Sequence, residues 1–191
     1  MKERESRMNV FLKVFRIIRR KSVFFLVNKV YAGGKHFERK RKLLNSIGFE
    51  IGEGTKIVGP LESSAFLKIG KNCWIGKNFR ANGNGRVIIG DCCDIAPEVT
   101  FQTGTHEIGK KDRRAGAGFN CTQEVGSGTW IGGRSTILNN TTIGKSSVIA
   151  GCACVTKSIP PNTLAGGYPP ELFVSSQMIN APPFNALYFA R

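Results

Sequence analysis

The sequence predicts an all-β solenoid, preceded by a helical arm and carrying one loop thrown out from its side. Three observations carry that prediction. Apolar residues recur every six positions, at Ile89, Ile95 and Phe101 and again at Val125, Ile131, Ile137, Ile143, Ile149 and Val155. The interval from Phe101 to Val125 is 24 residues, four sixes, so the beat keeps its phase across the stretch between them. A small residue stands four places after each apolar one, at Cys93, Val99 and Thr105 and then at Thr129, Ser135, Thr141, Ser147 and Ala153.

A period of six belongs neither to a helix, with 3.6 residues per turn, nor to a strand, with an alternation of two. It arises when each hexapeptide forms one flat side of a coil and turns one apolar residue inward. The small residue then fits a tight corner. Glycine often follows the apolar residue, at Gly90, Gly126, Gly132 and Gly144, as expected where a backbone turns sharply. Val, Ile and Thr supply the strand preference.

Taken in order, residues 1–48 read as a basic arm. Phe11, Val14, Phe15 and Ile18 recur at helical spacing among Lys13, Arg16, Arg19, Arg20 and Lys21, which predicts one or two amphipathic helices over 9–30. The uncharged run Val23–Val27 is too short to span a bilayer. Two readings of this helix stand side by side: packing on its own solenoid or a sister subunit, and lying on anionic lipid. No base-reading motif accompanies the charge, so nucleic-acid binding is disfavoured. Gly33-Gly34 ends the element, and His36 to Leu44 reads as a short charged helix stopped at Gly48. The solenoid is expected over 49–173. Its first coils follow Ile51, Ile57, a weak Ser63, Ile69, Ile75, Ala81 and Val87; the beat then slips by two at Ile89, which places an insertion near Asn82–Arg86. The protruding loop is expected over 107–124. Beyond Pro160-Pro161 the repeat ends, and residues 174–191, with Phe184, Leu187, Tyr188 and Phe189, form a tail expected to dock, since its apolar side chains are a liability when exposed.

The charge is unevenly placed. Of a formal net +15, residues 1–42 hold 14 Lys/Arg against 3 Glu, so the arm rather than the scaffold is basic. Six cysteines occur without a CxxC pair; Cys73 and Cys93 fall at small inward corners, and Cys152-Ala-Cys154 is too short for a zinc site. Free thiols and no readable cleavable signal lead us to expect a reducing cytoplasm.

The stretches Trp130-Ile-Gly-Gly-Arg-Ser-Thr-Ile-Leu and Ile143-Gly-Lys-Ser-Ser-Val-Ile-Ala-Gly-Cys-Ala-Cys-Val-Thr-Lys-Ser-Ile-Pro-Pro-Asn-Thr resemble the hexapeptide-repeat acyltransferases, and most the maltose/galactoside and polysaccharide O-acetyltransferases. The resemblance covers roughly residues 51–173. It implies a left-handed parallel β-helix of triangular section with three hexapeptides per coil, about five coils by the repeat rule, assembled as a homotrimer and using acetyl-CoA without a metal.

Only two histidines exist. His36 sits among cations and reads as solvated. His106 closes a coil at the mouth of the excursion, and a direct acyl transfer needs a base there to take the proton as a hydroxyl attacks. Carbonic anhydrases on this scaffold need three zinc histidines, which one chain here cannot supply. By resemblance, Trp130 and the small residues Gly132, Gly133, Ala150 and Gly151 border the coenzyme, and Thr156-Lys157 faces its phosphates. Asn82 contacts the acceptor, with Asn84 the weaker candidate; each is also a turn-former. Backbone N–H groups near Gly132-Gly133 are expected to hold the oxyanion. One departure is Gly167-Tyr-Pro-Pro-Glu171, where an acid stands in place of the family's usual cation. Lys110, Lys111, Arg113 or Arg114 of the glycine-rich excursion are the candidates to replace it, on a mobile flap or a merely solvated loop.

The expected activity is therefore transfer of acetyl from acetyl-CoA to a hydroxyl of a sugar or polysaccharide precursor, in the cytoplasm and at the inner membrane face if the arm binds lipid. The alternatives are a xenobiotic or other small-molecule acetyltransferase and a non-catalytic assembly subunit.

Overall fold

The computed structural model describes residues 2–167 and 170–174, with side chains from 11 to 167. The tail expected to dock lies outside the described residues beyond Val174.

Each hexapeptide contributes a short strand, and the strands stack in parallel into three sheets, the faces of the solenoid. The inward columns are Ile51, Ile69, Ile89, Val125 and Ile143 on the first face, Ile57, Ile75, Ile95, Ile131, Ile149 and Ala165 on the second, and Ala81, Phe101, Ile137 and Val155 on the third. Along the first column, successive coils take 18, 20, 36 and 18 residues. The 20 holds the slip at Asn82–Arg86. The 36 holds one ordinary coil and an excursion. Five coils are complete, and Ile159 beside Ile143 and Ala165 beside Ile149 begin a sixth. The chain then reverses, and Pro170–Val174 pairs antiparallel with Thr163–Gly167.

The glycines after the inward residue have a different reason from the one expected. Gly70, Gly90, Gly126, Gly132 and Gly144 do not have positive φ. The left-handed positions come two residues later, at Asn72, Cys92, Arg134, Ser146 and others. The glycines are required because the next coil passes over them. A Cβ on Gly70 would stand 2.6 Å from the Gly90 carbonyl carbon, and one on Gly132 would stand 2.4 Å from the Gly151 nitrogen.

Small corner residues are buried as the beat requires, and their hydroxyls bind corner carbonyls: Ser135 Oγ donates to Gly132 and Ala150, and Ser147 Oγ to Pro160. Thr105 is the exception. It lies in the excursion, and the buried Thr103 and Cys121 take the corner instead.

The arm is helix α1 (Lys2–Phe25), continued by a π-helical turn at Leu26–Val30, and helix α2 (Phe37–Ser46). A solenoid ends in strands with unpaired backbone groups, and an uncovered edge is a template for association. Arm side chains cover it, Arg41 donating to the Ile51 carbonyl at 3.3 Å among them. Asn45 brackets Ile51, accepting its N–H at 2.8 Å and donating to its carbonyl at 3.0 Å. Asn28 brackets Leu61 in the same way, at 2.9 and 2.8 Å. Arg20 donates to the Ser63 carbonyl at 2.7 Å while lying over the rings of Phe24 and Phe49. Lys40, wholly buried, donates to the carbonyls of Gly33, Ile57 and Val58. Burial pushes its pKa below the usual lysine range, and those three carbonyls satisfy the ammonium. Val23 and Val27 complete the contact as part of the core, with Phe24 packed against it.

Candidate active site

The excursion expected over 107–124 is an antiparallel hairpin, Gly104–Ile108 with Ala115–Asn120, and Thr122–Val125 is already back in the solenoid. The hairpin leaves the edge between third and first faces, directly above the Asn82–Arg86 turn of the coil below.

Thr103, which the sequence did not single out, ties the two together. Its N–H and its hydroxyl both donate to the Asn82 carbonyl at 2.7 Å. The same hydroxyl oxygen accepts the Gly85 N–H at 3.1 Å, and the Thr103 carbonyl accepts the Cys121 N–H at 2.6 Å. The Cys121 carbonyl in turn accepts the Arg86 N–H at 3.0 Å. Only glycine allows this approach: a Cβ on Gly85 would stand 2.1 Å from the Cys121 oxygen, and Gly83 has φ +94 with the Gly104 nitrogen 2.4 Å from its Cβ position. The insertion that broke the beat is thus the floor on which the hairpin stands.

His106 lies in the first hairpin strand opposite Gly118, just before the bulge between His106 and Ile108. Its Nδ1 is 3.0 Å from the Gly116 carbonyl oxygen. A carbonyl can only accept, so Nδ1 carries the proton and Nε2 is left with a free lone pair. His106 shares a cleft of about 320 Å³ with Asn84, Thr105, Phe119 and Asn120. Of the two acceptor candidates, Asn84 lines this cleft, whereas Asn82 does not; it is half-buried, and its carbonyl accepts from Thr103.

The coenzyme candidates stand elsewhere on the prism. Gly132, Gly133, Ala150 and Gly151 follow second-face strands, on the edge between second and third faces. Trp130 is on the outer row of the second face, half exposed, beside Asp94 and, beyond it, Trp74. Thr156 and Lys157 follow Val155, on the same edge as the hairpin; the Thr156 carbonyl accepts from Asn139 at 3.2 Å. One chain therefore sets His106 and Asn84 in one cleft, with Thr156-Lys157 farther along the same edge, and Gly132 on a different edge. The expected oxyanion role of Gly132 needs correction too. Its N–H donates to the Ile149 carbonyl at 2.7 Å, because corner amides are used to join coils. On that edge Gly151 is exposed, and a Cβ there would press to 3.3 Å on the Gly133 oxygen.

Lys110, Lys111, Arg113 and Arg114 crown the hairpin turn, all exposed, with the Arg113 N–H donating to the Lys110 carbonyl at 3.0 Å. The flap is a formed hairpin rather than an irregular loop. Its Ile108 is 89% exposed and Phe119 44%, apolar side chains that this chain leaves uncovered. Among the described residues no group of three His, Cys, Asp or Glu is placed to hold a metal.

No protein-family model matches the chain. The galactoside O-acetyltransferase of Escherichia coli (strain K12) is 33% identical over 138 residues, which cover 69% of this chain and 66%, just under two thirds, of that protein. A putative acetyltransferase of Staphylococcus aureus (strain MRSA252) is 31% identical over 171 residues, 88% of this chain and 84% of that protein. Among solved structures, a hexapeptide-repeat acetyltransferase of Vibrio cholerae O1 biovar eltor, complexed with acetyl-coenzyme A, superposes with a TM-score of 0.70 at 25% identity, covering 82% of this chain and 85% of that one.

Proposed function

This chain belongs to the hexapeptide-repeat acetyltransferases, left-handed parallel β-helix proteins, and from that premise we propose that it transfers acetyl from acetyl-CoA to a hydroxyl of a sugar or polysaccharide precursor. The observation that carries this reading is the Nδ1–Gly116 contact, which holds the His106 ring in a cleft shared with Asn84 and, in the neutral ring, leaves Nε2 as the acceptor.

In the proposed step, Nε2 removes the acceptor's proton as its oxygen attacks the thioester carbonyl. The new C–O bond forms, the C–S bond breaks, and the proton passes from the imidazolium to the departing thiolate of coenzyme A. No covalent acyl-enzyme is involved. Asn84 orients the acceptor, and Lys157 meets the coenzyme's phosphates as a point charge.

The acceptor class follows the E. coli relative, a galactoside O-acetyltransferase. We further propose a homotrimer. The edge with Gly133 and Gly151 and the edge with His106 are separate in one chain, and a neighbour's edge would complete the site. Exposed Ile108 and Phe119 on the hairpin are the side chains that such a neighbour would cover. The described thiols are all free, which accords with a reducing cytoplasm.

The test is an acceptor screen. Purified chain is incubated with acetyl-CoA and a panel of mono-, oligo- and lipid-linked saccharides, with free coenzyme A and a product heavier by one acetyl group as the two readouts. Acetyl-CoA binding without product on any saccharide would overturn the sugar reading; no binding at all would overturn the acetyltransferase reading.

A further inference from the structure

The arm has two faces, and only one is used by the fold. Arg20, Val23 and Val27 seat α1 and its π-helical continuation on the first coil. Phe11, Val14, Phe15, Ile18 and Phe25 recur at intervals of three, one, three and seven residues, which is one stripe of a helix with 3.6 residues per turn. Arg20, nine residues on from Phe11, stands half a turn round from that stripe. The apolar stripe therefore points away from the body. Every member is exposed, Phe11 at 65%, Ile18 at 58% and Phe25 at 61%. Packing on the chain's own solenoid accounts for Val23, Phe24 and Val27 and leaves these five uncovered.

The charge around the stripe identifies what covers it. Arg19 and Lys21 are exposed on its flanks, Lys13 and Arg16 are exposed on the side of Arg20, and no acidic residue occurs between Glu5 and Glu38. Two such helices facing each other would set cation against cation with no counter-charge. Among the described residues no helix is long and apolar enough to cross a membrane. A helix with an apolar face, cationic flanks and low mean hydropathy lies in the plane of an anionic bilayer, its ring and aliphatic side chains among the acyl chains and its cations reaching back to the headgroups.

We propose that the outward face of α1, from Phe11 to Phe25, is a membrane-docking surface for anionic lipid. The helix lies flat on the bilayer while Arg20 of the helix and Asn28 of its π-helical continuation hold the first coil to it. Any lipid-linked acceptor would then be met at the headgroup plane, although the docking itself does not depend on which acceptor is used or on catalysis.

The test is co-sedimentation of the full chain with vesicles of phosphatidylcholine alone and of phosphatidylcholine with phosphatidylglycerol, at low and at high salt. Two variants accompany it: Phe11→Ser/Phe15→Ser/Ile18→Ser, and Arg19→Gln/Lys21→Gln. All five positions are exposed, so the fold is retained, and circular dichroism with light scattering verifies it. The native chain is expected to pellet with the anionic vesicles, less at high salt as the surface charges are screened. Each variant is expected to partition at least about tenfold more weakly. No sedimentation with anionic vesicles overturns the proposal, as does equal sedimentation with both kinds. An apolar variant that binds like the native chain also overturns it, since the stripe is then not seated in lipid. A smaller oligomer caused by the apolar variant assigns the stripe to a second copy and overturns it equally.

Discussion

The Thr103 hydroxyl donates to the Asn82 carbonyl at 2.7 Å, and that bond helps to join the Asn82–Arg86 turn to the histidine hairpin. Thr103→Val keeps the shape and removes the hydroxyl, leaving the Gly85 N–H without its acceptor. A buried donor orphaned in this way costs about 1–3 kcal/mol, to be read by urea unfolding. Turnover is expected to fall with acetyl-CoA affinity unchanged, because the Asn84 turn and the hairpin lose the hydroxyl's two bonds and keep only backbone bonds between them. Thr103→Ser should restore both; a serine variant as impaired as valine would show that the methyl rather than the hydroxyl matters.

His106→Ala is expected to lower turnover by roughly 10²–10⁴-fold, the usual loss for a missing general base. Coenzyme binding, measured by calorimetry, should be nearly unaffected. Activity within a fewfold of the native chain would remove His106 from the mechanism.

The separation of His106 from Gly133 and Gly151 on different edges makes a complementation test decisive. His106→Ala loses the base on one edge, and Gly151→Trp obstructs the other. On the proposed homotrimer, each variant alone should be inactive. Trimers reassembled from a mixture of the two should regain activity, since some sites then combine two intact edges. Mixed trimers without activity would mean that each chain builds its site alone.

Gly132→Ala tests coil stacking. Its Cβ would stand 2.4 Å from the Gly151 nitrogen, a backbone atom that cannot swing aside. Overpacking of this kind costs about 1–3 kcal/mol, visible as a lower urea midpoint. An unchanged midpoint would mean that the coils separate freely.

Lys40→Met tests the edge cap. The methionine fills similar space and leaves the carbonyls of Gly33, Ile57 and Val58 without their donor. A loss of about 1–3 kcal/mol is expected, with a lower melting temperature. Equal or greater stability would show that the ammonium's desolvation outweighs its three bonds.

The sequence by itself determined the solenoid, because the inward position recurs in every coil and the signal adds up over many repeats. From Ile51 to Val155 the inward residue, the small corner and the slip at Asn82–Arg86 were legible in one dimension. So was His106, as a lone histidine at the edge of an interruption. Only the tertiary structure decided what lies one coil apart. Thr103 and Gly85 are 18 residues apart in sequence and hydrogen-bonded in space. Gly132 proved to serve the coil above it rather than an oxyanion. Thr105 left the corner, because the hairpin starts two residues before His106. Lys40 read as one cation among many, and became the buried donor that closes the solenoid's open end. The reason is common to all four: a repeat is written by side chains at fixed spacing, whereas stacking, capping and the matching of edges depend on backbone groups, which every residue carries alike and no sequence pattern marks.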